Sequence, residues 1–323
     1  MQEVTGKLVT VFGGSGFIGR YLVRALARDG WRVRVAVRRP DLVGYLQPAG
    51  GVGQIKPIYA DVQKRDSVRA AVAHADAVVN LVGILAESGK QSFDGVQAQG
   101  AAHIAEAARE AGITRLVQMS AIGADAGSGS KYAQTKAAGE EAAFGAVPGA
   151  IVLRPSLVFG PEDALFNRFA RIAALSPFVP VVGPDSRFQP VYVGDVGAFA
   201  AAAVNGAVPE GTVYELGGPD VATFRELLET MLATTRQNRR IVAVPFNIAE
   251  LQAKILSILP KPPLTVDQVE LLKHDNVVSE AAVAEGRTLA AAGITPHSLA
   301  AVLPTYLWVY RRHGQFAEPG SIA

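Results

Sequence analysis

The chain has 323 residues, 49% of them hydrophobic and 19% charged, a balance that describes a globular protein and excludes a disordered one. A net charge of +2 gives no basic field for nucleic acid, and the absence of cysteine excludes disulfides, thiolate catalysis and Cys-ligated metals. No stretch approaches the roughly 18 uninterrupted apolar residues of a membrane span; the longest, Val196 to Val204, is short and Ala-rich.

The first residues lead straight into a strand with no targeting segment in front of it, so the expected setting is the cytoplasm, with peripheral attachment to the cytoplasmic face of the inner membrane left open. Apolar Leu8–Phe12 then meets Gly13, Gly16 and Gly19 and passes into a helical pattern. Strand, glycine turn and helix form a dinucleotide-binding unit. Gly13 allows the sharp turn, Gly16 a close backbone approach to a pyrophosphate, and Gly19 a tight fit of helix on strand. Ser15, Phe17 and Ile18 complete the loop, and their end of the helix offers N–H groups to phosphate.

Further buried parallel strands are expected at Val33–Val37, Ile55–Tyr59, Ala77–Val82, Leu116–Met119 and Ile151–Leu153. Between them, Ile18, Leu22, Ala25 and Leu26 share a helical face that ends at Asp29-Gly30, and a second helix runs from Asp94 to Ala111. This alternation predicts an α/β fold: a doubly wound parallel Rossmann sheet with a smaller, mainly helical C-terminal lobe. Past Gly160-Pro161 helical patterns dominate, with capping boxes at Thr223-x-x-Glu226 and Thr265-x-x-Gln268. Gln189–Val193 and Val213–Leu216 are expected to return to the main sheet. The division is then 1–160 with 189–216 as the NAD(P)-binding domain, and 161–188 with 217–323 as a substrate or partner lobe.

Where an NAD site places a carboxylate on the ribose, this chain has Arg38 and Arg39, which suit a 2′-phosphate. NADP(H) is therefore favoured over NAD(H), the other reading being two solvated surface charges. Asp61-Val62 ends the third strand, where the carboxylate meets either the adenine amino group or its own loop. Leu81, Val82 and Gly83 end the fourth beside the pyrophosphate and ribose. Tyr132 and Lys136 stand at i and i+4 on one helical face, where the ammonium lowers the phenol's pKa and the phenol exchanges a proton. Ser120, ending the fifth strand, is placed to orient a carbonyl. The five histidines, His74, His103, His274, His297 and His313, show no metal-ligand spacing, so no metal is expected.

Gly13-Gly-Ser-Gly-Phe-Ile-Gly19, Tyr132-x-x-x-Lys136, Leu153-Arg-Pro-Ser-Leu-Val-Phe-Gly-Pro161 and Tyr214-Glu-Leu-Gly-Gly-Pro219 resemble the extended short-chain dehydrogenase/reductase superfamily. That resemblance implies that Pro155, Leu157 and Val158 lie near the nicotinamide. Leu259 to Val278, Leu303-Pro-Thr-Tyr-Leu-Trp308 and Gly314-Gln-Phe316, with Asn80-Leu-Val-Gly-Ile-Leu85, are similar to an atypical branch. This branch contains the NADPH-carrying accessory subunit of mitochondrial respiratory complex I and its bacterial relatives. The resemblance implies a non-catalytic structural or assembly role near the quinone site of that complex. Retention of Tyr132 and Lys136 keeps two alternatives: an active reductase, dehydrogenase or nucleotide-sugar epimerase, and an NADPH-sensing regulator. Pro245–Leu259 and Tyr306–Arg312 mix apolar and polar residues in a way that suits lobe helices or a membrane or partner surface.

Overall fold

The computed structural model describes residues 6–256, 262, 264–312 and 314. Six strands, β1 (Leu8–Phe12), β2 (Arg32–Val37), β3 (Ile55–Tyr59), β4 (Ala77–Asn80), β5 (Leu116–Met119) and β6 (Ile151–Pro155), alternate with helices α1 (Phe17–Arg28), α2 (Arg65–Val72), α3 (Gln99–Glu110) and α4 (Lys131–Ala146). There follow β7 (Val158–Phe159), α5 (Leu165–Leu175), β8 (Phe178–Val182), β9 (Arg187–Phe188), β10 (Val191–Tyr192), α6 (Val193–Asn205) and β11 (Val213–Leu216). Next are β12 (Ala222–Thr223), α7 (Phe224–Thr235), β13 (Arg240–Val244), α8 (Phe246–Leu256) and α9 (Val266–Leu271).

The main sheet has seven strands in the order β11-β6-β5-β4-β1-β2-β3, every pair parallel. Both faces are covered, which is why central β1, β4 and β5 are almost wholly buried, whereas the edge strand β3 exposes Lys56 and Tyr59. On one face Val9, Val11, Val33 and Val35 pack with Leu22 and Leu26 of α1 and with Val196 and Phe199 of α6. Gly197 makes that packing possible, because a Cβ there would lie 3.2 Å from the Leu22 nitrogen. Asn205 pins the end of α6 in place: its Oδ1 accepts from Trp31 Nε1 at 2.7 Å and its Nδ2 donates to Asp29 at 2.7 Å. The other face joins Phe12, Val78 and Leu116 to Val68 of α2 and Ile104 of α3. A separate apolar cluster gathers Phe159, Phe166, Val179, Leu227, Met231, Leu303 and Leu307.

Strand order reverses between β4 and β1, so a crevice opens at their C-terminal ends, where open α/β sheets bind ligands. Three expectations need correction. Gln189–Val193 does not return to the main sheet; only Val191–Tyr192 is strand, and it pairs with Val158–Phe159 in a two-stranded sheet of its own. Pro190 has no N–H to give a ladder, and Val213–Leu216 already occupies the outer edge of β6. The fourth strand stops at Asn80 because the Asn80 side chain takes the Val82 N–H at 3.0 Å. The helix from Asp94 opens with a π turn over Asp94–Ala98 before α3 begins.

Candidate functional site

The loop from β1 to α1 is shaped by contacts that exclude side chains. Gly13 has φ +76°, and a Cβ there would lie 3.1 Å from the Leu81 carbonyl carbon and 3.2 Å from the Val82 nitrogen. At Gly19 a Cβ would fall 2.4 Å from the Gly13 oxygen, so only glycine lets the helix rest on the loop. Gly16, the N-cap of α1, provides no side-chain cap, and the first turn holds no acidic residue. The N–H groups of Phe17, Ile18 and Gly19 are therefore free of intrahelical partners, in the arrangement that binds phosphate. The neighbouring Ser15 carbonyl accepts from the Tyr45 hydroxyl at 2.7 Å, which ties the loop down.

Arg38 and Arg39 are both exposed at the end of β2, and the structure separates them. Arg39 donates through Nε and Nη2 to the two Asp41 oxygens at 3.0 and 2.7 Å. Among the described residues Arg38 meets the Gln91 amide, whose oxygen, turned towards the guanidinium, accepts from it. Arg38 is the guanidinium more open to a ligand. Asp61 Oδ1 accepts from the Gln63 N–H at 3.1 Å, a loop-bracing bond. The Val62 carbonyl meets His103 Nδ1 at 2.8 Å, and the Val62 side chain fills the notch at Gly100. Leu81 donates its N–H to Phe12 at 3.0 Å, joining the end of β4 to that of β1.

On α4, Tyr132 packs edge-to-face on Phe93 at 6.0 Å, and its hydroxyl has no hydrogen-bond partner among the described residues. Burial, then the Asp267 carboxylate, raises the phenol to about 12. One turn on, Lys136 is buried, and its Nζ donates to the Met119 carbonyl at 3.2 Å. Burial lowers the ammonium to about 8, with Glu140 pulling it upward. Gly83 lies against the Lys136 end of this pair: a Cβ there would be 3.2 Å from Lys136 Nζ and 3.4 Å from Gln97 Oε1.

Gln97 is a residue that sequence reasoning missed. It is buried, its Nε2 donates to Thr135 Oγ1 at 3.2 Å, and its Oε1 has no partner. A buried acceptor left unmade costs about 1–3 kcal/mol, so it marks where a ligand or water donor belongs. It sits in the π turn, a distortion frequent at functional sites, and nothing in its immediate sequence announces it.

Ser120 makes no hydrogen bond to Tyr132 or Lys136 among the described residues, although Lys136 bonds the carbonyl of Met119 next to it. Its hydroxyl donates to Glu140 Oε1, and the same carboxylate takes Arg154 Nε at 2.8 Å and Nη2 at 2.6 Å. Glu140 lies one turn beyond Lys136 on α4 and joins Ser120 to a partly buried ion pair. Pro155 ends β6 with its carbonyl on the Ile122 N–H at 3.1 Å; Leu157 accepts from Val191 at 2.9 Å, and Val158 is paired in β7. The glycine cradle, the uncapped helix end and the orphaned Gln97 oxygen together fit a dinucleotide lying across β1 and β4 towards α4.

The two candidate surfaces behave differently. On α8, Ala249 and Ala253 are buried while Ile248, Leu251 and Ile255 are exposed at helical spacing; Ile258 and Leu259 lie outside the described residues. In the C-terminal segment Tyr306 and Leu307 are core, with the Tyr306 hydroxyl on Asp163 Oδ2 at 2.5 Å. Phe316 lies outside the described residues. No helix among the described residues is long and apolar enough to cross a membrane.

The model of the NAD dependent epimerase/dehydratase family matches residues 9–217. Among curated proteins, the chain is 37% identical over 326 residues to the mitochondrial NADH dehydrogenase [ubiquinone] 1 alpha subcomplex subunit 9 of Arabidopsis thaliana, covering 97% of this chain and 80% of that one. It is 35% identical to a ceramide reductase of Caulobacter vibrioides over 59% of each chain. Among solved structures, an NADPH-dependent quinone oxidoreductase from Escherichia coli, complexed with NADPH, superposes with a TM-score of 0.72 at 17% identity, covering 93% of this chain and 98% of that one, a likeness of fold.

Proposed function

The chain belongs to the NAD dependent epimerase/dehydratase family, and on that premise we propose that it binds NADP(H) in preference to NAD(H) and holds it chiefly as a structural ligand. In this reading it is a subunit or assembly partner of respiratory complex I, peripheral on the cytoplasmic face of the inner membrane. Residues 1–160 and 189–216 carry the nucleotide, and 161–188 with 217–323 face partners near the quinone site. The nearly full-length likeness to a complex I subunit supports the assembly role. The observation that favours the low-turnover side is the Ser120 hydroxyl, which donates to Glu140 and makes no hydrogen bond to Tyr132 among the described residues.

When bound, the nicotinamide dinucleotide supplies or accepts hydride. The residues' own parts are these: the N–H groups of Phe17, Ile18 and Gly19 hold pyrophosphate, Arg38 holds the 2′-phosphate, and Asp61 meets the adenine amino group. Lys136 donates to ribose hydroxyls, with Leu81, Val82, Gly83, Pro155, Leu157 and Val158 lining the path. A second reading, an active reductase with Tyr132 as proton donor, is favoured by the unengaged Tyr132 hydroxyl and by the ceramide reductase relative.

Mass spectrometry of the purified protein and fluorescence titrations test the cofactor. NADPH is expected to bind more tightly than NADH. Arg38→Ala is expected to weaken NADPH by about tenfold or more and leave NADH unchanged, since a charge-assisted contact is lost. Arg39→Ala is expected to do less, because Asp41 already holds that guanidinium. Tighter binding of NADH by the parent overturns the NADP(H) assignment. Co-purification with complex I from native membranes tests the partner. A Tyr132→Phe protein that keeps NADPH and loses its cellular function moves the balance to the reductase.

A further inference from the structure

The first turn of α4, which sets Tyr132, is capped from two places. Ser130 is the N-cap, its hydroxyl oxygen accepting from the Ala133 N–H at 3.2 Å. The N–H groups of Lys131 and Tyr132 go instead to Asp267 Oδ1, at 2.6 and 3.4 Å, and Ser130 Oγ donates to Asp267 Oδ2 at 2.9 Å. A carboxylate some 135 residues further along the chain therefore supplies the remaining cap. Asp267 is itself fixed, in the first turn of α9, whose capping box joins Thr265 and Gln268.

The segment that presents Asp267 runs across the ends of three neighbouring strands. Gln268 Nε2 donates to the Leu85 carbonyl beyond β4 at 3.3 Å. Asn276 Nδ2 donates to the Ile122 carbonyl beyond β5 at 3.1 Å, and Asn276 accepts from Ser156 Oγ beyond β6 at 2.7 and 2.8 Å. At Gly129, ahead of α4, a Cβ would sit 3.2 Å from Glu270 Oε1. Residues 265–276 thus form a strap over the C-terminal edge of the sheet, on the side of Tyr132 and Lys136 and away from the glycine loop.

We propose that Asp267 is a positioning residue through which this strap fixes the first turn of α4, so that strap docking and occupancy of the Tyr132–Lys136 half of the site stabilise each other. The second half of this statement rests on the dinucleotide reading above; the first does not. Because linkage is reciprocal, a ligand that needs the ordered turn must also hold the strap down. A ligand confined to the glycine-loop and Arg38 end has no such dependence.

The experiment compares the parent with Asp267→Ala and Asp267→Asn by hydrogen exchange and by nucleotide titration. Without nucleotide, Asp267→Ala is expected to speed exchange of the Lys131 and Tyr132 amides by about fivefold, the usual effect of losing a cap. Asp267→Asn, which keeps an acceptor of the same shape, is expected to restore most of the protection. In titrations Asp267→Ala is expected to weaken NADPH by a similar factor while leaving adenosine 2′,5′-bisphosphate, which lacks the nicotinamide half, unchanged. Unaltered exchange in a folded Asp267→Ala protein overturns the latch. Equal loss for both nucleotides overturns its coupling to the Tyr132–Lys136 half. Should Asp267→Ala not fold, Asp267→Ser, a shorter acceptor, takes its place with the same outcomes. A parent that binds neither nucleotide refutes the dinucleotide reading instead, and exchange still decides the latch.

Discussion

Lys136→Met keeps an unbranched apolar stem and removes a buried charge, and it is expected to stabilise the nucleotide-free protein while impairing its site. The ammonium is held at about 8 against 10.5 for an ordinary lysine. At 1.36 kcal/mol for each pH unit, keeping it protonated at pH 7 costs the fold roughly 3 kcal/mol. The variant loses the hydrogen bond to the Met119 carbonyl, which returns about 1 kcal/mol of that gain. The net expectation is a protein more stable by roughly 2 kcal/mol at pH 7. Below about 8 the lysine is charged both folded and unfolded, and the full penalty is present. Between about 8 and 10.5 the folded protein has released the proton and the unfolded chain still holds it, so the parent gains stability as pH rises. The difference between parent and variant should therefore close across that interval. Urea unfolding followed by circular dichroism at several pH values measures it, and NADPH titration should show the affinity lost. A Lys136→Met protein less stable than the parent at pH 7, or a difference indifferent to pH, refutes the reasoning.

Gly19→Ala places a methyl 2.4 Å from the Gly13 oxygen and 2.6 Å from the Gly14 backbone, atoms that cannot swing aside. It is expected to cost about 2 kcal/mol and to abolish nucleotide binding, whereas Gly145→Ala, with open space around it on α4, is expected to be neutral or mildly stabilising. Thermal unfolding and NADPH titration of the two variants check this contrast. Glu140→Ala leaves the Arg154 guanidinium and the Ser120 hydroxyl without their carboxylate. The expected loss is about 3 kcal/mol by urea unfolding, at the lower end for a buried pair because Arg154 is partly exposed. Adding Arg154→Met should recover part of it, and a loss in Glu140→Ala below about 1 kcal/mol would mean the pair is effectively solvated.

Most strands of the main sheet were legible because they are largely apolar runs closed by a turn signal, even where β2 carries Arg32 and Arg34 and β3 carries Lys56, and the glycine loop because its chemistry is local. Both capping boxes, at Thr223 and Thr265, form as their spacing requires. What stayed hidden depends on residues far apart in the chain. Ser120 is taken by Glu140, the Gln97 oxygen is left unpartnered beside Gly83 while its Nε2 goes to Thr135, and α4 is capped by Asp267. Periodicity says which face of a helix is buried, but not which distant carboxylate will reach its end. The pairing of Arg39 with Asp41 is the exception, since only Pro40 separates them and the contact follows from proximity.

The placement of α6 has a consequence for biosynthesis. After β6 the chain leaves the main sheet, and Val196, Gly197 and Phe199, which cover Leu22 and Leu26 of α1, come only later. A nascent chain that has emerged as far as Pro155 already carries the glycine loop and the β4 end that cradles it. Yet one side of its core still faces solvent. During that interval the half-built sheet is open to chaperones and to aggregation.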